Sequence, residues 1–195
     1  PFYTPGLEWF GTWLSSQTTF LGNTRPGTPR VELMRGFMGW NAFHGSQFTE
    51  LDSDWDGPDG YDGIPDNGDD FENEPSSVAI RQTVAVTPAA QYDLSFRFSP
   101  RPGAPASEGA VRVRWNGTEV AYITTSSALP FGASPNWVKH TRTVTGPSAG
   151  STLLEFVDAG LVSNSLAAFI DDVRVVCIVQ EPDLLPTEIL APSAG

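Results

Sequence analysis

The chain has 195 residues, with 11 Lys and Arg against 23 Asp and Glu, for a formal net charge of −12. That length accommodates one domain with an ample core. The acidic balance excludes a nucleic-acid binder, which needs clustered Lys and Arg to meet phosphates. It also speaks against an anionic membrane surface, and no apolar run approaches the roughly 20 residues that insert across a bilayer.

In chain order, the first 45 residues are irregular and aromatic, with Phe2, Trp9, Phe10, Trp13, Phe20, Phe37, Trp40 and Phe43. Short strands are expected at about 31–34 and 47–51. An acidic segment follows. Between Glu50 and Glu74 lie 11 of the 23 acids, while no Lys or Arg falls between Arg35 and Arg81. Outside that window 12 acids face 11 bases, so the net charge belongs to 25 residues. Like charges at that density stay solvated or bind cations.

From there period-two alternation, the mark of a half-buried strand, recurs. Val78, Ile80, Val84 and Val86 form one apolar row and Tyr92, Leu94, Phe96 and Phe98 a second. Val111, Val113 and Trp115 form a third. Asn116-Gly117 is the pair a type I′ hairpin turn demands, since both positions need positive φ. Strands are expected at 78–86, 92–98, 111–115, 119–124, 137–145, 152–157 and 168–178. The loops between them are built from some of the 19 glycines and 17 prolines. Many short strands at this spacing predict an all-β fold, an antiparallel β-sandwich or jelly roll. Trp40, Trp115 and Trp137 are expected in the core. So is Cys177, as the only cysteine and within an apolar run, read as a structural thiol.

Several stretches together resemble one family. They are Val31-Glu32-Leu33-Met34 with His44-Gly45-Ser46-Gln47-Phe48-Thr49-Glu50-Leu51-Asp52, then Ile80-Arg81-Gln82-Thr83-Val84 with Tyr92-Asp93-Leu94-Ser95-Phe96-Arg97. Val113-Arg114-Trp115-Asn116-Gly117 and Phe169-Ile170-Asp171-Asp172-Val173 complete the pattern. In this order they are similar to the galactose-binding-like jelly-roll superfamily, which includes carbohydrate-binding modules and cell-wall-associated exported domains. The resemblance implies an extracellular, surface-exposed module. Residues 1–178 read as the sandwich, with an acidic calcium-loop insertion at 50–74. Residues 179–195 read as a linker or the first strand of a following domain. Their Pro182-Asp183-Leu184-Leu185-Pro186 run resembles the start of a bacterial cell-adhesion-related immunoglobulin-like domain, which implies one module of a longer protein.

Within the acidic segment, Asp52-Ser53-Asp54-Trp55-Asp56-Gly57 places carboxylates at positions 1, 3 and 5 with glycine at 6, as calcium loops begin. The EF-hand register then fails, because its twelfth position is Gly63. Asp62-Gly63-Ile64-Pro65-Asp66-Asn67-Gly68-Asp69 instead resembles the thrombospondin type 3 calcium repeat. Asp52, Asp54, Asp56, Asp59, Asp62, Asp66 and Asp69 are therefore candidate Ca2+ ligands, hard oxygens without histidine or thiol. The alternative is a solvated acidic loop. In sugar-binding jelly rolls the first Asp of the closing Asp-Asp-Val ligates a structural calcium, which makes Asp171 a candidate. A strand-end carboxylate is the alternative there.

Sugars are bound by planar polar side chains and aromatic platforms. Arg97, Arg112 and Arg114 could supply charge-assisted bonds to an acidic sugar, or pair across strands with Asp93, Glu119 or Glu155. Trp55 and Tyr61, inside the acidic loop, are the candidate exposed platforms. Catalysis finds no motif. His44 and His140 lack metal spacing, and Glu32, Glu50 and Glu155 are the strand-borne carboxylates on which a glycosidase would have to draw. The expectation is a non-enzyme that binds a glycan or cell-surface polymer. The alternative is a structural or adhesive module that contacts neighbouring protein modules.

Overall fold

Alternation becomes structure wherever one face of a strand must be buried and the other not. The computed structural model describes residues 9–20, 23–29, 31–53, 75–163 and 166–179. The strands are β1 (Phe10–Trp13), β2 (Thr19–Phe20), β3 (Asn23–Thr24), β4 (Glu32–Met34), β5 (Phe48–Glu50) and β6 (Val78–Ala85). They continue with β7 (Gln91–Ser99), β8 (Ala110–Trp115), β9 (Thr118–Thr124), β10 (Val138–Thr145), β11 (Ser151–Asp158) and β12 (Phe169–Cys177). Two five-stranded antiparallel sheets result, in the orders β1-β6-β11-β8-β9 and β10-β7-β12-β5-β4, with β2-β3 as a separate small pair. The expected all-β sandwich is borne out.

The main core lies between the two sheets. Phe156 sits opposite Ile80 on one neighbour and Val113 on the other, so one inward row crosses three strands. From the second sheet Tyr92, Leu94, Phe96, Phe98 and Ile170 face them in the same cluster. Phe96 and Phe156 meet edge to face at 5.0 Å, a favoured geometry for aromatic rings. The β8–β9 turn has Asn116 at φ 53° and Gly117 at φ 76°, the left-handed pair the sequence demands.

A second apolar cluster of Met34, Trp40, Phe48 and Phe169, with Ala42 and Trp137 half-buried beside it, is separate from the first. Phe169 alternates with Ile170, so it points to the opposite, outer face of the second sheet. Segment 35–47, with a 3₁₀ turn at Phe37–Gly39, folds over part of that face. Trp40 packs 5.3 Å from Phe169, and Trp137 Nε1 donates to the carbonyl of Asn41 at 3.0 Å.

Two expectations are corrected. Cys177 is exposed rather than a core thiol. β12 pairs with β5 only at Phe169 and Ile170; beyond its register shift it pairs with β7 alone, so its last residues lie on an open edge. The N-terminal region, read as irregular, contributes β1, which pairs with β6 from Phe10 to Trp13. Residues 54–74 and 180–195, with the calcium-repeat and immunoglobulin-like resemblances, lie outside the described residues.

Candidate functional site

Alternation on β5 sends Phe48 and Glu50 to the outer face of the second sheet, and β4 places Glu32 directly across from Glu50. Like charges opposed across a strand pair repel. Asp52, two residues on, is fully buried. Glu32, Glu50 and Asp52 bring ligand oxygens within 4.8 Å of one another. Glu50 is completely buried. Its Oε1 accepts from Arg101 Nη1 at 2.8 Å and from the Ala167 amide at 3.0 Å. Glu50 Oε2 and Glu32 Oε2 are buried and find no hydrogen-bond partner among the described residues. Burial, opposed by Arg101 and reinforced by Glu32, pushes the Glu50 carboxyl up to about 8. Buried carboxylate oxygens aimed at each other without donors are what a divalent cation relieves, so these residues fit a metal ion.

Of the ligands expected from sequence, Asp52 joins this cluster. Asp54, Asp56, Asp59, Asp62, Asp66 and Asp69 lie outside the described residues. Asp171 is elsewhere. Its Oδ2 accepts the amides of Phe43 at 2.7 Å and His44 at 3.0 Å, and its Oδ1 that of Asp172 at 2.6 Å. Two of these three backbone donors, Phe43 and His44, belong to segment 35–47, which gives Asp171 an anchoring role for it. Sequence marks Glu32 and Glu50 as strand-borne carboxylates but does not show that they meet. The signal available is their shared outward phase on two short strands flanking the acidic run.

The three arginines weighed together do not share a surface. Arg112 and Arg114 face outward from the first sheet. There Arg81, Glu155, Arg114 and Glu119 are successive cross-strand neighbours over β6, β11, β8 and β9. Arg112 pairs with Glu119 at 2.8 Å and lies over Tyr122 at 4.4 Å, while Arg81 approaches Glu155 at 3.9 Å. Cross-strand pairing, the alternative reading, holds on that face. Arg97 lies on the opposite side of the sandwich, its guanidinium 3.7 Å above the ring of Phe43. Lys139 is its register partner, and Thr141 and Thr143 are exposed farther along β10, in register with Ser95 and Asp93. Phe43 escapes a reading of the sequence because nothing in an aperiodic loop marks where its ring lands. Trp55 and Tyr61 lie outside the described residues.

No protein-family model matches the chain, and no curated protein matches it. Among solved structures it is distantly similar to a family 35 carbohydrate-binding module from Clostridium thermocellum. That likeness has 16% identity and a TM-score of 0.41 over 74% of this chain and 86% of that one. It is also similar to the family 22 xylan-binding domain from Paenibacillus barcinonensis, with 14% identity and a TM-score of 0.44 over 80% and 85% of the two chains. A family 35 module from an environmental isolate matches at 15% identity and a TM-score of 0.37 over 50% of this chain. This chain spans 64% of that module's length.

Proposed function

We propose that this chain is a non-catalytic, extracellular, calcium-stabilised β-sandwich module that binds carbohydrate on the open part of its second sheet's outer face. The observation that carries the reading is the Arg97–Phe43 stack. A planar guanidinium is held 3.7 Å over an aromatic ring that is itself 44% exposed, on a face that carries Lys139 directly across from Arg97 and the polar residues Thr141, Thr143 and Asp93 farther along the two strands. Sugars present apolar ring faces and hydroxyl edges, and this surface offers a partner for each. The solved structures to which the fold is distantly similar include sugar-binding modules.

Calcium is the proposed ion because the cluster offers carboxylate oxygens with no nitrogen or sulfur, and Asp52 leads in sequence into the acidic run. Glu32, Glu50 and Asp52 would hold it, with Asp54 and Asp56 as sequence candidates to complete its shell. The bound ion would supply positive charge to the buried Glu32–Glu50 pair and fix β4 to β5. The non-catalytic reading is supported by the full burial of Glu50 against Arg101 and by the place of Glu155 in the charge row on the other sheet.

A second reading, a structural or adhesive module acting through protein contacts, is favoured by the exposed side chains of Leu33, Phe37 and Met38. A polysaccharide array with the whole chain and a Phe43→Ala variant tests the first reading. Saturable retention by wild type that is lost in the variant is expected. An array on which wild type retains no glycan, with ordered self-association in solution, would establish the second reading instead.

A further inference from the structure

The outer face of the first sheet carries a row of charges that its own members satisfy only in part. Arg81 on β6, Glu155 on β11, Arg114 on β8 and Glu119 on β9 are successive register partners. Their signs alternate plus, minus, plus, minus at the roughly 4.8 Å spacing of strands. Arg81 Nε stands 3.9 Å from Glu155, beyond hydrogen-bond reach, and no ion pair reaches Arg114 among the described residues. Glu119 has a close partner at 2.8 Å, but that partner is Arg112, outside the row. The side chains at the two ends of the row, Arg81 and Glu119, are 34% and 41% exposed. Beyond Arg81 the row continues to Phe10 on β1, which is exposed while Trp9 and Trp13 pack on the core side. The opposite edge strand, β9, carries the exposed ring of Tyr122 beneath Arg112.

A row of alternating sign has no net charge, so a polymer of one sign gains nothing from it. Its complement is a second row with the same spacing in reversed order, and a second copy of this chain supplies one. We infer that the outer face of the first sheet is a homodimer interface, closed by a two-fold axis that lies between the copies and runs along the strands, between β11 and β8. That axis reverses the strand order, so β6 faces β9 and β11 faces β8. Arg81 then meets the partner's Glu119, and Glu155 meets the partner's Arg114, each contact occurring twice. A two-fold axis across the strands would instead set every charge against its own kind. Phe10 of each copy reaches the far edge of the other, beside the partner's Tyr122. Aligned stacking of this kind is one of the two ways in which sheets pack face to face, and a two-fold contact of one patch with itself is the commonest in homo-oligomers. The inference is independent of the carbohydrate reading. A dimer through the first sheets leaves the outer faces of both second sheets free and pointing in opposite directions.

Sedimentation equilibrium of the whole chain in calcium buffer tests this. Wild type should show a concentration-dependent equilibrium between monomer and dimer. Arg81→Glu and Glu119→Arg should each weaken self-association at least about tenfold, because each sets like charges together across the axis. An equimolar mixture of the two variants should associate again with about wild-type strength. In that mixed pair the substituted residue of each chain faces an opposite charge on the other, so both end contacts are restored. Rescue on mixing cannot come from misfolded chains, which guards the test against loss of fold. Arg35→Glu, an exposed reversal on the segment over the second sheet, should leave the dimer unchanged. Wild type that stays monomeric at every concentration overturns the inference. So does a dimer that neither reversal weakens, a dimer that Arg35→Glu weakens as much, or a loss of association that mixing the two variants does not repair.

Discussion

Three buried carboxylates show how position, not residue type, decides what an acid does. Asp171 has a backbone donor for each of its three acceptor contacts and serves as an anchor. Glu50 has donors on one oxygen only, and its other oxygen is buried without a hydrogen-bond partner among the described residues. Asp158, at the end of β11, is buried. Burial, with Glu108 adding repulsion, pushes its carboxyl up to about 6 against opposing hydrogen bonds from Ser77 and the Gly160 and Ala159 amides. A carboxyl whose folded value lies above its unfolded one stabilises the fold where it is protonated. That contribution is present in full below about 4 and is lost as pH rises through about 6. A rise from the ordinary aspartate value to about 6 limits that loss to roughly 3 kcal/mol. Asp158→Asn should therefore gain stability relative to wild type as pH rises from 5 to 8, read by urea unfolding in chelator at each pH. A difference between the two proteins that does not change with pH would refute this role for Asp158.

At the scale of elements, the outer layer depends on how β12 is built. Its register shifts between Asp171 and Arg174, with Asp172 at φ 50°. The bulge re-aims Asp171 at the amides of segment 35–47, as bulges do beside functional surfaces. Asp171→Ala should cost about 2–4 kcal/mol, since hydrogen bonds to a charged acceptor contribute roughly 1.5–3 kcal/mol each and do not add fully. It should also open segment 35–47 to limited proteolysis before the sandwich unfolds, which mass spectrometry of the first fragments would show. Initial cleavage elsewhere would count against the anchoring role.

The same contrast explains what is legible in the sequence. Strands β6 to β9 and β11 follow from alternation because each has one buried face, and the Asn116-Gly117 turn follows from its demand for positive φ. The cover over Phe169 does not, because segment 35–47 has no period. The meeting of Glu32 with Glu50 depends on a long-range register that no local pattern encodes. Arg97 cannot be told from Arg112 and Arg114, since alternation says that a residue faces outward but not from which sheet. Cys177 reads as buried because an apolar run does not reveal that its strand loses one neighbour halfway along.

Taken as a whole, the molecule is a nearly neutral sandwich with its excess charge in 25 residues, whose leading members Glu50 and Asp52 are buried in a metal-fitting cluster. Under the proposed reading, in which the ion is calcium, that arrangement makes stability a function of calcium. A ligand that binds only the folded state stabilises by about 2.7 kcal/mol at a hundred times its dissociation constant. For a domain of this size each kcal/mol moves the melting temperature by roughly 2–4 °C. Millimolar calcium should thus raise the melting temperature by about 5–10 °C over chelator, with magnesium less effective because it loses its water reluctantly. Glu32→Gln separates this from general screening of the acidic run. It removes one charge of the opposed pair without touching the Arg101–Glu50 bond. In chelator it should melt higher than wild type, because the repulsion is gone; in calcium it should melt lower, because a ligand is gone. Scanning calorimetry of both proteins in both buffers reads the reversal. If calcium instead acts by diffuse screening of residues 50–74, the two proteins shift in parallel and no reversal occurs.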